Sequence, residues 1–110
     1  MREIKFRQWY PEAKEMTRPF QMGSVLCESV DYNYLMQYSG LKDKNGKEIY
    51  EGDICKVDEG ENFYEIIFYM GGFMVAVLPR KIRIYHIGDS LFNNIEIIGN
   101  IYENPELIKW

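Results

Sequence analysis

One histidine, two cysteines and four prolines are all that the 110-residue sequence supplies of these types, and each scarcity closes off a class of function. Cys27 and Cys55 are too few and too widely spaced for a C-x-x-C zinc framework, and both thiols are expected to be reduced. No apolar run approaches the length that spans a bilayer and no lipidation pattern marks either terminus, which argues for a soluble protein with no membrane partner. Met1 is followed at once by charged residues instead of an apolar secretory segment, so the expected compartment is cytoplasmic. Positive charge is short as well. A net charge of -4 and a pI near 5.0 give a summed field that repels polyanions, which disfavours nucleic acid unless a local basic face works against it. Helical periodicity is also missing, and no internal repeat, low-complexity stretch or linker is visible.

What the chain does contain is β pattern. An apolar fraction of 46% and an aromatic fraction of 15% supply the surface that a disordered chain lacks, and the length suits one domain over residues 1–110. Residues 2–10 alternate, with Ile4 and Phe6 expected toward a core and Glu3, Lys5 and Arg7 away from it. A turn at 11–14 leads back through 16–22, a hairpin that Pro19 confines to a sheet edge. Residues 23–33 fit either a bent strand or a short helix. The stretch 35–57 then packs two strand patterns, two turn signals and the densest charge into one unit: a strand at 35–38, an exposed loop at 42–47 around Asn45-Gly46, a strand at 48–51, a bend at Gly52-Asp53, and an extended run at 54–57.

After an acidic turn at 58–62, the β-rich runs 63–70 and 73–78 are separated by Gly71-Gly72, the signal of a two-residue hairpin. Residues 81–87 alternate again. Residues 95–102, nearly continuous in isoleucine, read as a central strand covered on both faces, with a bulge at Gly99. Asn104, Pro105 and Glu106 are a cap, a first helical position and a first-turn acid, so a short helical turn closes the chain. The class is all-β, a sandwich or a small barrel.

Residues that could carry chemistry are scattered. His86 would need a nucleophile such as Cys27, Cys55 or Ser90 and an orienting carboxylate to act in a small hydrolase, and a surface histidine at a strand end is the plainer reading. Cys55 suits a small buried thiol. Asp58, Glu59 and Glu61 lack the alternate spacing of a calcium loop and read as a solvated turn. Beside Gly52, Asp53 is explained by bonding the backbone of a tight turn. Arg80, Lys81 and Arg83, with Tyr85, make the best basic surface for a nucleic acid or another partner, although their alternation is also that of any solvated sheet face. Nine tyrosines exceed what one small core can bury, and half-wet tyrosines are common at protein interfaces.

The opening MREIKFRQWYPEAKEM, the central LMQYSGLKDKNGKEIYEGDICKV and the closing IEIIGNIYENPEL resemble the YopX family of small phage and prophage proteins of bacteria. The resemblance implies an SH3-like β-barrel in which residues 49–57 and 95–102 supply barrel strands, to which the residue pattern adds the N-terminal hairpin and the C-terminal helical turn. It also implies a phage or prophage origin and a bacterial cytoplasm. It carries over no catalytic position, metal or cofactor. The leading expectation is therefore a non-enzymatic interaction or regulatory module that self-associates or binds a host or phage protein. A nucleic-acid-binding module and a hydrolase using His86 are the alternatives.

Overall fold

The computed structural model describes residues 3–21, 31–57, 62–81, 83–88, 92 and 94–108. Cys27, Asp58, Glu59, Glu61, Ser90, Trp110 and most of the ambiguous stretch 23–33 lie outside them. Among the described residues the chain forms nine strands: β1 (Phe6–Tyr10), β2 (Glu15–Met16), β3 (Leu35–Lys42), β4 (Glu48–Tyr50), β5 (Asp53–Val57), β6 (Tyr64–Tyr69), β7 (Gly72–Val77), β8 (Ile84–His86) and β9 (Ile95–Asn100). Two short 3-10 turns, Tyr32–Tyr34 and Pro105–Ile108, are also present. The strands make two antiparallel sheets, ordered β2-β1-β3-β4 and β8-β7-β6-β5-β9, curled into a half-barrel. The all-β class stands, as do the N-terminal hairpin and the C-terminal helical turn.

The central stretch is where the chain passes from one sheet to the other. β4 belongs to the first and β5 to the second, with only Glu51 and Gly52 between them. Gly52 has φ +89 and Met36 Sδ lies 3.2 Å from where its Cβ would stand, so both the turn and the packing call for glycine. Its N–H donates to the Ile66 carbonyl and its own carbonyl accepts from Ile101, which fastens the corner to β6 and to the end of β9. Adjacent residues of β4 serve different cores. Ile49 packs with Cys55, Ile66, Phe73, Val75 and Ile97, whereas Tyr50 packs with Trp9, Met36 and Tyr38. Ile54, Ile66 and Val75 are wholly buried, each contributing about 1.5–3 kcal/mol of transfer free energy.

Four expectations change. The β6–β7 loop is Met70-Gly71 and not Gly71-Gly72, because Tyr69 pairs with Gly72 and positive φ falls at Met70 and Gly71, the primed turn that suits strand twist. β9 pairs with β5 alone and is an edge strand, not a central one. Its isoleucines are nonetheless covered, since the 42–47 loop lies along that edge, Lys44 N–H donating to the Ile95 carbonyl and Ile97 N–H to Asp43 Oδ2. That loop is accordingly not exposed throughout: Asp43 is buried. Around the start of β1 the expected faces do not hold, with Ile4 60% exposed and Phe6 only half-buried while Lys5 and Arg7 turn inward over the Tyr38 and Tyr50 rings. The expected bulge is present, Ile54 facing Gly99 and Cys55 facing Ile97 so that Ile98 is the extra residue.

Candidate recognition groove

A broad depression on the surface of the described residues lies where the first hairpin meets the chain leaving β9. Trp9 ends the buried part of β1, paired across the hairpin with Met16, and its ring rests on the Met36, Tyr38 and Tyr50 cluster. Tyr102 is brought beside it by a turn built on Asn100, whose Oδ1 accepts from the N–H groups of Tyr102 (3.0 Å) and Glu103 (2.8 Å). Asn104 Oδ1 in turn accepts from Asn100 N–H at 3.1 Å. The Trp9 and Tyr102 rings are nearly parallel, 10° apart with centroids at 6.2 Å, and Tyr34 leans on Tyr102 at 5.5 Å. The stacked pair lines the base of the depression, with Trp9 only 8% exposed and Tyr102 half-buried.

Exposed Pro11, Lys14, Glu103 and Pro105 stand around this floor, and together they enclose about 620 Å³. A second depression of about 370 Å³ shares Trp9 and Pro11 and adds Tyr10, Glu12, Ala13 and Asp31. The Tyr102 hydroxyl donates to the Asn33 carbonyl at 3.2 Å and is pushed up in pKa, first by burial and then by the charges of Glu51 and its neighbours. It is a fixed, protonated part of the floor.

The residues singled out from sequence lie elsewhere. Arg80 and Lys81 occupy the turn after β7 rather than a strand, Lys81 with φ +56, and only Tyr85 of the four is on β8. Lys81 Nζ is 2.8 Å from Oε1 of the buried Glu65, a charge contact whose angle makes no hydrogen bond. Arg80 and Arg83 are exposed, and the Tyr85 ring packs on Phe92 at 5.7 Å. His86 is exposed at the strand end and accepts the Gly88 N–H on Nδ1. Cys55 is a free, buried thiol pushed up to about 12 by burial and then by the Asp53 charge, so it is held as the thiol. Asp53 takes the Tyr50 N–H at 2.8 Å, as the turn reading expects.

Of the tyrosines, Tyr38 and Tyr50 are buried, Tyr34, Tyr64, Tyr85 and Tyr102 are half-buried, and Tyr10, Tyr32 and Tyr69 are exposed. The second core absorbs much of the surplus. The groove itself was not foreseen. Trp9, Pro11 and Pro105 were each legible as local features, but only the pairing of β1 with β3 and of β5 with β9 brings the two proline turns face to face.

Comparison with known proteins agrees with this fold. A family model described as YopX protein matches residues 19–109, which includes the central and closing blocks and leaves the opening block outside. A solved structure, the crystal structure of protein EF1440 from Enterococcus faecalis, is 27% identical, with a TM-score of 0.68 over 99% of this chain and 100% of that one. No curated protein matches. Among the described residues no helix is long and apolar enough to cross a membrane.

Proposed function

The chain belongs to the YopX family, and from that premise we propose that it is a non-enzymatic recognition module that binds a segment of another protein in the Trp9–Tyr102 groove. The observation that carries this reading is the groove itself: a depression over Trp9 and Tyr102 with exposed prolines on its rim, its Tyr102 side held by the Asn100 turn. Rigid aromatics that keep a polar edge toward water are what recognition surfaces are built from, since little side-chain entropy is lost when they are covered. Of the hydrolase candidates among the described residues, His86 Nδ1 accepts a backbone amide and Cys55 is a buried thiol.

Family membership supports a phage or prophage gene and a bacterial cytoplasm as the working place. Capture from a bacterial lysate tests the module. A partner retained by the wild type and lost with the exposed rim change Glu103→Lys supports the groove, whereas equal capture by both overturns it. Light scattering alongside reports self-association, and a strict monomer that captures nothing would remove the interaction reading.

A further inference from the structure

Apart from the groove, we infer that the free edge of β8 is a second docking site, which takes an extended acidic segment of a partner protein as an added strand. β8 and β9 are the two ends of the second sheet. The β9 end is covered by the 42–47 loop through Lys44 and Asp43, whereas no described residue pairs with the outer side of β8. The register fixes which groups are left over there. Val77 N–H donates to the Arg83 carbonyl and Ile87 N–H to the Phe73 carbonyl, with Val75 opposite Tyr85 between them. Bonded and non-bonded pairs alternate along an antiparallel ladder, so the main-chain groups of Ile84 and His86 point away from β7. Both residues are exposed, Ile84 at 40%, and no described residue bonds their N–H or C=O. Such a row of unpaired donors and acceptors is a template for another strand.

Charge selects the occupant. The whole chain carries -4, yet residues 70–88 hold Arg80, Lys81 and Arg83 and no acid. Lys81 Nζ is engaged by Glu65 at 2.8 Å, while Arg80 and Arg83 are exposed and make no ion pair among the described residues. Two uncompensated guanidinium groups beside an open edge attract carboxylates and repel cations. A second copy of this chain is a poor match, since its own β8 would bring the same cations to the seam. A nucleic acid fits no better, because the Tyr85 ring packs on Phe92 at 5.7 Å instead of standing free to stack a base, and phosphates offer no donor to the outward carbonyls. Every neighbour in this sheet runs antiparallel, and a strand added in that sense places alternate side chains on the Ile84 face and on the Arg83 face. The segment therefore alternates apolar residues, which cover Ile84, with acids, which meet Arg83.

The test is a titration of the isotopically labelled full chain with three synthetic peptides: alternating glutamate and valine, the same with lysine for glutamate, and the same with proline for valine. A thymine oligonucleotide serves as a polyanion without a peptide main chain. The first peptide is expected to shift the Ile84 and His86 amide resonances to saturation and to slow their hydrogen exchange, since those N–H groups gain acceptors. Lysine for glutamate should weaken binding about tenfold or more. Proline for valine removes the donors that face Ile84 and His86 and should abolish the exchange protection. Arg83→Glu, a change at an exposed position, should weaken the glutamate peptide about tenfold and turn the preference toward lysine. No saturable shift up to about 2 mM, or shifts that leave Ile84 and His86 exchanging freely, would overturn strand addition. Equal binding of the oligonucleotide would overturn the acidic peptide as occupant. Protection of Ile84 and His86 that grows with protein concentration alone would do the same, giving the edge to a second copy.

Discussion

Asp43 shows how one side chain holds an edge strand in place. Its carboxylate accepts three backbone N–H groups, those of Asn45 and Lys47 within its own loop and that of Ile97 on β9, each at 2.9 Å. The Ile97 amide is buried with it, so Asp43→Ala should lower the unfolding free energy by about 2–4 kcal/mol, the cost of leaving such donors unsatisfied. Asp43→Asn keeps one acceptor oxygen and should lose roughly half as much; urea denaturation separates the two. Burial would raise the Asp43 carboxyl, but the amides of Ile97, Lys47 and Asn45 together hold it below its ordinary 3.8. Because the folded value is the lower one, its contribution is complete above 3.8 and drains away as pH falls through the folded value. The urea midpoint of the wild type should therefore fall on acidification through that window, and Asp43→Asn should show a shallower decline. None of this was legible from sequence, where an aspartate before Asn-Gly signals an exposed loop. The distant partner Ile97 is set by the β5–β9 register.

At the scale of elements, two positions carry strain or crowding that substitutions can expose. Met70 has φ 51 beside Gly71 at φ 82 in the two-residue turn, and its side chain is 85% exposed, so packing gives nothing back for the left-handed backbone. Met70→Asn supplies the residue such turns favour and should raise stability by about 0.5–1 kcal/mol, read as a higher midpoint at unchanged slope in denaturant. At the β9 bulge, a Cβ on Gly99 would stand 2.4 Å from Asn104 Oδ1, the atom that accepts from Asn100 N–H. Gly99→Ala should cost about 1–3 kcal/mol, and Asn104→Ala in the same chain should recover part of it, a non-additivity that a double-mutant cycle measures. The elements themselves were largely visible in the sequence, since alternation and glycine pairs mark β1, β6, β7 and the bulge through local sterics. The one-residue shift of the β6–β7 turn was not, because Met70 takes the αL conformation that the pattern assigned to glycine.

For the whole molecule, the sequence announced an all-β chain but misjudged how its layers meet. Alternation in residues 2–10 names two faces without saying which is inward, and charge suggested that Lys5 and Arg7 face water. Instead Lys5 lies over Tyr38 and bonds Glu48 at 2.5 Å within the first sheet, while Arg7 lies over Tyr50 and pairs with Asp53 of the second, so a cationic side chain with a long apolar stem joins the sheets. The groove inherits that arrangement, since Trp9 shares the inward face of β1. Arg7 sits on β1 of one sheet and Asp53 on β5 of the other, with Asp53 1% exposed, so the pair bridges the layers. Burial already pushes the Asp53 carboxyl up, with the Arg7 charge and the Tyr50 amide pulling it down. Arg7→Met removes the first of those opposing groups and strands a buried charge, which should cost about 3–5 kcal/mol. Adding Asp53→Asn keeps an acceptor for the Tyr50 N–H and removes the charge, so the double variant should be more stable than Arg7→Met alone. The pH dependence gives an independent check. In Arg7→Met the folded Asp53 pKa rises further above the ordinary 3.8, so relative to the double variant its stability must fall as pH climbs through the interval between them. Parallel stability curves for the two variants across that interval would show that the bridge between the sheets is not electrostatic.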